Sequence, residues 1–213
     1  VYRVTNGTRP VGTVQLLAKE RKFISGEDSL ILSASVVSAE PGNGAFTLGD
    51  SIVARVDPET LSPFEMTGKM TGQVGGLGRQ IKFDQKTGAV SFGQDHVDAP
   101  IGTHTILSFL YAIRSFNLNP SRDVRNPVND TRVAVFWNSN PNIFMLRPFE
   151  PETITVNGQK LQAQKVTIKT NDSQLDQLGV TVWLSTDPSR TPLMVKIGLY
   201  QAELISASRS TDK

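Results

Sequence analysis

The chain has 213 residues, 38% of them hydrophobic and 20% charged, a composition that folds around a core and lies far from the signature of disorder. Its 22 Lys and Arg stand against 20 Asp and Glu, so a formal charge of +2 provides no strong field to draw it onto nucleic acid or acidic lipid. The absence of cysteine excludes thiol catalysis, disulfides, Cys-ligated zinc and iron–sulfur clusters, while leaving the compartment open.

A length of this order suits one domain spanning residues 1–213. Alternation of apolar and polar residues with a period of two recurs between turn signals and predicts many short strands. Val1-Tyr2-Arg3-Val4 reads as a strand already under way, with no charged or apolar leader region before it, so a removed leader is expected. Lys19, Arg21 and Lys22, interrupted by Glu20 and accompanied only by Phe23, form a solvated strand end rather than a nucleic-acid platform. Leu30, Leu32, Ala34 and Val36 share one strand face, and Ile52 to Asp57 forms another strand. Phe64, Met66, Gly68 and Met70 alternate with Glu65, Thr67, Lys69 and Thr71, as in a sheet wetted on one side.

Gly72, Gly75, Gly76 and Gly78 lack the Lys-Ser or Lys-Thr pair and the helix of a phosphate-binding loop, and are read as a loop between strands. A strand over Ile81 to Asp84 precedes the turn Lys86-Thr87-Gly88. The two histidines, His96 and His104, could join Asp95 or Asp98 in a metal site, but the spacing is not diagnostic and no metal or other cofactor is expected. Both lie ahead of the predicted helix and no G-x-S-x-G elbow occurs, which argues against a serine hydrolase.

Ile106, Phe109, Leu110 and Ile113 recur at helical spacing and predict the main helix, with Asp98, Pro100 and Thr103 as start signals and Asn117 to Pro120 as its stop. The apolar run from Ile106 to Ile113 is too short to span a bilayer, which takes roughly 20 residues. Asn117 to Asp130 reads as a long loop. Further strands are predicted over Arg132 to Asn138, Thr153 to Val156, Val180 to Ser185 and Leu193 to Leu199. Asn157-Gly158 is a strong hairpin signal, and phase slips at Gln164-Lys165 and Tyr200-Gln201 predict β-bulges. Asp187-Pro188-Ser189 forms a type I turn, with Arg190 placed to pair with Asp187 and Trp183 packed on the sheet. Sequons at Asn6, Asn129 and Asn171 would matter only in a eukaryotic secreted protein. The fold class is therefore mainly β, an α+β arrangement in which a strongly curved antiparallel sheet or half-barrel carries a helix on its concave face.

Three stretches carry a family resemblance: Trp183-Leu-Ser185-Thr-Asp187-Pro-Ser-Arg190-Thr-Pro192, Leu110-Tyr111-Ala-Ile-Arg114, and Gly7-Thr-Arg-Pro10-Val-Gly12. With Asp57-Pro-Glu-Thr-Leu61-Ser-Pro63 and the hairpin at Gly158, the sequence resembles a bacterial family catalogued as domain of unknown function 3108 over nearly its whole length. The resemblance implies export and a LolA-like architecture, and supplies no catalytic residues. Members tend to carry an acidic residue ahead of the helix serine, where this chain has His104-Thr105 before Ser108. Tyr111, Arg114, Trp183, Ser185, Asp187, Arg190 and Pro192 are expected to act structurally.

The leading expectation is a non-enzymatic periplasmic binding or carrier protein. Its apolar cavity, lined by Ile106, Phe109, Leu110 and Ile113, would receive a lipid or a lipidated protein. The alternative is a cell-envelope scaffold whose interior is filled by its own side chains. A third is an enzyme acting on envelope glycan or lipid through Asp187, Arg190, Tyr111 and Arg114.

Overall fold

The computed structural model describes residues 1–71, 79–120 and 131–208. The first eight strands are β1 (Tyr2–Asn6), β2 (Arg9–Ile24), β3 (Glu27–Ala39), β4 (Ser51–Val56), β5 (Pro63–Lys69), β6 (Ile81–Asp84), β7 (Ala89–Phe92) and β8 (Asp95–Asp98). Short β9 (His104–Thr105) leads into α1 (Ile106–Ala112), followed by β10 (Thr131–Trp137), β11 (Asn140–Val156) and β12 (Gln159–Lys169). Then come α2 (Ser173–Gln177), β13 (Thr181–Ser185), β14 (Pro192–Ile197) and β15 (Tyr200–Leu204). All the strands among the described residues belong to one sheet, ordered β8-β7-β6-β5-β4-β3-β2-β1-β15-β14-β13-β12-β11-β10-β9. Pairing is antiparallel except between β9 and β10.

Connectivity forces this sheet to curl. Its edges, β8 and β9, are joined by residues 99–103, and the chain from Asp98 to His104 reaches at most about 21 Å. Flat, fifteen strands would hold those edges about 65 Å apart. Accordingly Phe136 of β10 meets Phe83 of β6 with ring centroids 5.9 Å apart and Phe92 of β7 at 5.6 Å, although many strands intervene along the sheet. The Ala99 amide adds a 2.6 Å hydrogen bond to the Gly88 carbonyl.

The α1 helix serves two clusters of the core. Phe109 and Ile113 stand with Val135, Phe144, Leu146 and Val166, while Leu107 stands with Leu32, Ile52, Val56 and Phe136. Phe109 meets Phe144 edge to face at 5.4 Å. The buried residues are Leu107, Ser108, Phe109 and Ala112, with Ile113 at the cap also buried. Of the four residues at the predicted helical spacing, Phe109 and Ile113 are therefore buried, whereas Ile106 and Leu110 are half-exposed. The start signals also shift. Thr105, not Asp98 or Thr103, caps the helix, forming a reciprocal capping box with Ser108. Asp98 instead ends edge strand β8, and the Thr103 hydroxyl donates back to the Pro100 carbonyl at 2.6 Å.

Local signals fare unevenly. Asn157 (φ 48°) and Gly158 (φ 78°) make the two-residue connection between β11 and β12. The register slips between Pro148 and Pro151 of β11, opposite Lys165, where a bulge was expected. Near Tyr200 the expected bulge is a hairpin: Gly198 and Leu199 turn β14 into β15, so that the predicted strand ends at Ile197. At Gly12 a side-chain Cβ would lie 2.3 Å from the Ser38 carbonyl oxygen of neighbouring β3. The predicted Gly72–Gly78 loop, and the part of the 117–130 loop beyond Pro120, fall outside the described residues.

Candidate functional site

Helical spacing explains how α1 presents a face to solvent. Leu107, Leu110, Tyr111 and Arg114 recur at i, i+3, i+4 and i+7. Leu107 enters the core, while the next three line a groove of about 700 Å³. Tyr2 of β1, Gln15, Leu16 and Leu17 of β2, Pro192 of β14 and Leu204 of β15 also line it. Leu17 remains 40% exposed, an apolar residue left beside the opening. Of the four residues expected to line a cavity, Leu110 reaches this groove, whereas Phe109 and Ile113 fill the core and Ile106 packs against it.

The groove's polar atoms are held from behind. Arg114 Nε donates to the Ser189 carbonyl at 2.8 Å, and the Tyr2 hydroxyl donates to the Pro192 carbonyl at 2.8 Å. Burial pushes Tyr2 up to about 12, reinforced by nearby Tyr111 and opposed by Arg114. Burial likewise pushes Tyr111 up to about 12 against the pull of Arg114. Both phenols therefore keep their protons at neutral pH. Among the described residues Arg114 makes no ion pair, and it is the only charged side chain lining the groove.

The turn between β13 and β14 braces this region. The Arg190 amide donates to the Asp187 carbonyl at 3.0 Å, and the Ser189 amide to the Asp187 carboxylate at 2.7 Å. Side-chain hydrogen bonds from Ser185 and Ser189, with the Ser189 amide, hold the Asp187 carboxyl at about 2. The expected Arg190–Asp187 pair is not made. Arg190 Nη1 donates instead to the carbonyls of Phe116 at 2.8 Å and Arg114 at 3.3 Å. Ser185 is buried and its hydroxyl accepts the Thr191 amide at 2.9 Å. Trp183 is half-buried, between inward-facing Val182 and Leu184, and its indole N–H donates to Glu152 at 2.7 Å. Its truncation is therefore expected to cost less than the ~3–5 kcal/mol of a fully buried aromatic.

A serine–histidine contact also emerges that the sequence reading missed. His104 Nδ1 lies 3.2 Å from Ser108 Oγ, four residues along the chain. Burial lowers the His104 pKa, with a backbone hydrogen bond at Leu61 acting the other way. Ser108 is fully buried and its hydroxyl is committed to Thr105, so the pair locks β9 to α1 instead of presenting a nucleophile. The T-x-x-S spacing of Thr105 and Ser108 was the available signal. His96 lies exposed in β8, away from this buried pair.

The family model described as "Protein of unknown function (DUF3108)" matches residues 1–203. The chain belongs to that family. No curated protein and no solved structure matches it. The DUF3108 resemblance motifs, scattered along the sequence, converge in space: Tyr111 and Arg114 of one meet Ser189, Thr191 and Pro192 of another around the groove. Gly12 of a third lies in β2, which supplies another wall.

Proposed function

We propose that this chain is a non-enzymatic binding or carrier protein for an apolar ligand, a lipid or a lipidated partner, working in the periplasm or otherwise beyond the inner membrane. The observation that carries the reading is the groove beside α1, with Leu16, Leu17, Leu110 and Leu204 on its walls. Its volume of about 700 Å³ falls within the range of small-molecule sites, and its lining mixes the leucines with polar residues, Gln15, Arg114, Ser189, Thr191 and Ser206 among them. A LolA-like arrangement, with the helix held against the concave side of a curled sheet, accommodates an acyl chain at the helix flank.

Organic-solvent extraction of protein purified from its native envelope, followed by mass spectrometry, tests the ligand. Co-purifying lipid in stoichiometric amount is expected, and a lipid-free protein that also fails to bind a fluorescent fatty acid would sink the carrier reading. Cell fractionation tests the compartment: recovery only in the cytosol overturns export. The scaffold reading is favoured by the close burial of Phe109 and Ile113, 1% and 0% exposed, which leaves the interior on that side of α1 to the protein's own side chains.

A further inference from the structure

Arg114 Nε is bound to the Ser189 carbonyl, whereas its two Nη groups have no hydrogen-bond or ion-pair partner among the described residues. The Tyr111 hydroxyl likewise forms no hydrogen bond among them, while the Tyr2 hydroxyl already donates to the Pro192 carbonyl. Among the described residues no acidic side chain lines the groove to neutralise the guanidinium. A half-buried cation without an ion-pair partner disfavours a cationic ligand and gains from an anion, because the guanidinium fork matches the oxygens of a carboxylate or phosphate. Apolar surface lies alongside: Leu16 of β2, which packs on the same core cluster as Tyr111, Leu110 of α1 and Leu204 of β15 line the groove. A space of about 700 Å³ suits one small ligand better than a folded partner.

We infer that the groove recognises a single-chain anionic amphiphile, its carboxylate or phosphate head held by Arg114 Nη and the Tyr111 hydroxyl and its tail laid along Leu16, Leu110 and Leu204. The inference rests on the carrier reading and specifies its ligand class. Tyr111 donates as a neutral phenol, Arg114 supplies charge, and the Ser189 carbonyl fixes the plane of the guanidinium from behind.

The test is competition against the fluorescent fatty acid cis-parinarate, using myristate, myristyl phosphate, myristyl alcohol and myristyltrimethylammonium. Myristate or myristyl phosphate should compete about ten- to a hundredfold better than the alcohol, the scale of a charge-assisted hydrogen bond, with the ammonium weakest. Which anion wins separates a carboxylate from a phosphate source. Arg114→Met should abolish the preference by weakening the anions far more than the alcohol, and Arg114→Lys should restore part of it. Because Arg114→Met also loses the bond to Ser189, Tyr111→Phe serves as the conservative second variant and should weaken the anions severalfold and more than it weakens the alcohol. Equal competition by anions and alcohol overturns the head-group assignment and leaves the carrier reading standing. Failure of every amphiphile and of cis-parinarate removes both. Equal weakening of acid and alcohol by both variants would mean that these residues only shape the groove, and overturns the inference.

Discussion

Arg190 Nη1 donates to the Phe116 carbonyl at 2.8 Å, tying the β13–β14 turn to the chain just beyond α1. Carbonyls that follow a helix end lack partners in the helix, so a guanidinium reaching from another element completes them. Arg190→Ala should destabilise the protein by about 1.5–3 kcal/mol, the range for hydrogen bonds to a charged group, in urea unfolding. Arg190→Lys should recover only part, because an ammonium cannot reproduce the planar fork. Full recovery would show that charge alone suffices.

Adjacent residues of α1 should respond oppositely. Phe109→Ala opens a void against Phe144 and should cost about 3–5 kcal/mol in unfolding free energy. Leu110→Trp places bulk in the groove, and should reduce cis-parinarate affinity at least about tenfold while changing stability by roughly 0.5 kcal/mol or less. A large stability loss from Leu110→Trp would put Leu110 in the core.

His104 predicts a pH dependence. Its folded pKa lies below the ordinary value of 6.5, so at mildly acidic pH the unfolded chain binds the proton more readily than the folded one. Stability is therefore present above about pH 6.5 and falls as pH drops below it toward the lowered folded pKa. Denaturant midpoints measured from pH 7.5 to 5 should fall in the wild type, and the slope should flatten in His104→Asn, whatever that variant's absolute stability. An unchanged slope would place the responsible proton elsewhere.

Gly12 lacks room for a side chain. A Cβ would meet the Ser38 oxygen at 2.3 Å, and backbone in the middle of paired strands yields only by deforming the ladder. Gly12→Ala should lower stability by about 1–3 kcal/mol, as overpacking does. Thermal unfolding no different from wild type would show that β2 and β3 can part there at no cost.

Where burial was one-sided, the strands were legible from residues alone. The alternation around Leu32 and Val36 and the strands at Ile52, Ile81 and Thr181 followed the residue pattern. β11 was read only at its end because Pro141, Pro148 and Pro151 suppress the strand signal, although Asn142, Phe144, Leu146 and Pro148 are buried in alternation. The helix is legible in the sequence but its exposed face is not, since Leu110 belongs to two stripes at once and only the neighbouring strands decide which is covered. The groove itself was not legible: Tyr2, Leu16, Tyr111 and Pro192 come from remote parts of the chain and meet only through strand order. Arg190 was assigned to Asp187 by proximity in sequence, but that carboxylate is occupied within its own turn and the nearby carbonyls are not.

The strand order divides the sheet into two runs in which each strand pairs with its predecessor, β1 to β8 and β9 to β15, and a single seam, β1 against β15, stitches them together. Across it Tyr2 faces Leu204 and Val4 faces Ala202, whereas the other ladders join strands consecutive in the chain. Closing a loop costs more as it lengthens, so local hairpins gain their contacts early and the seam zips late. Val4→Ala should then accelerate unfolding with little effect on the folding rate, and Leu32→Ala in β3 should slow folding more. Folding kinetics that place Val4 contacts in the transition state would make the seam the nucleus instead.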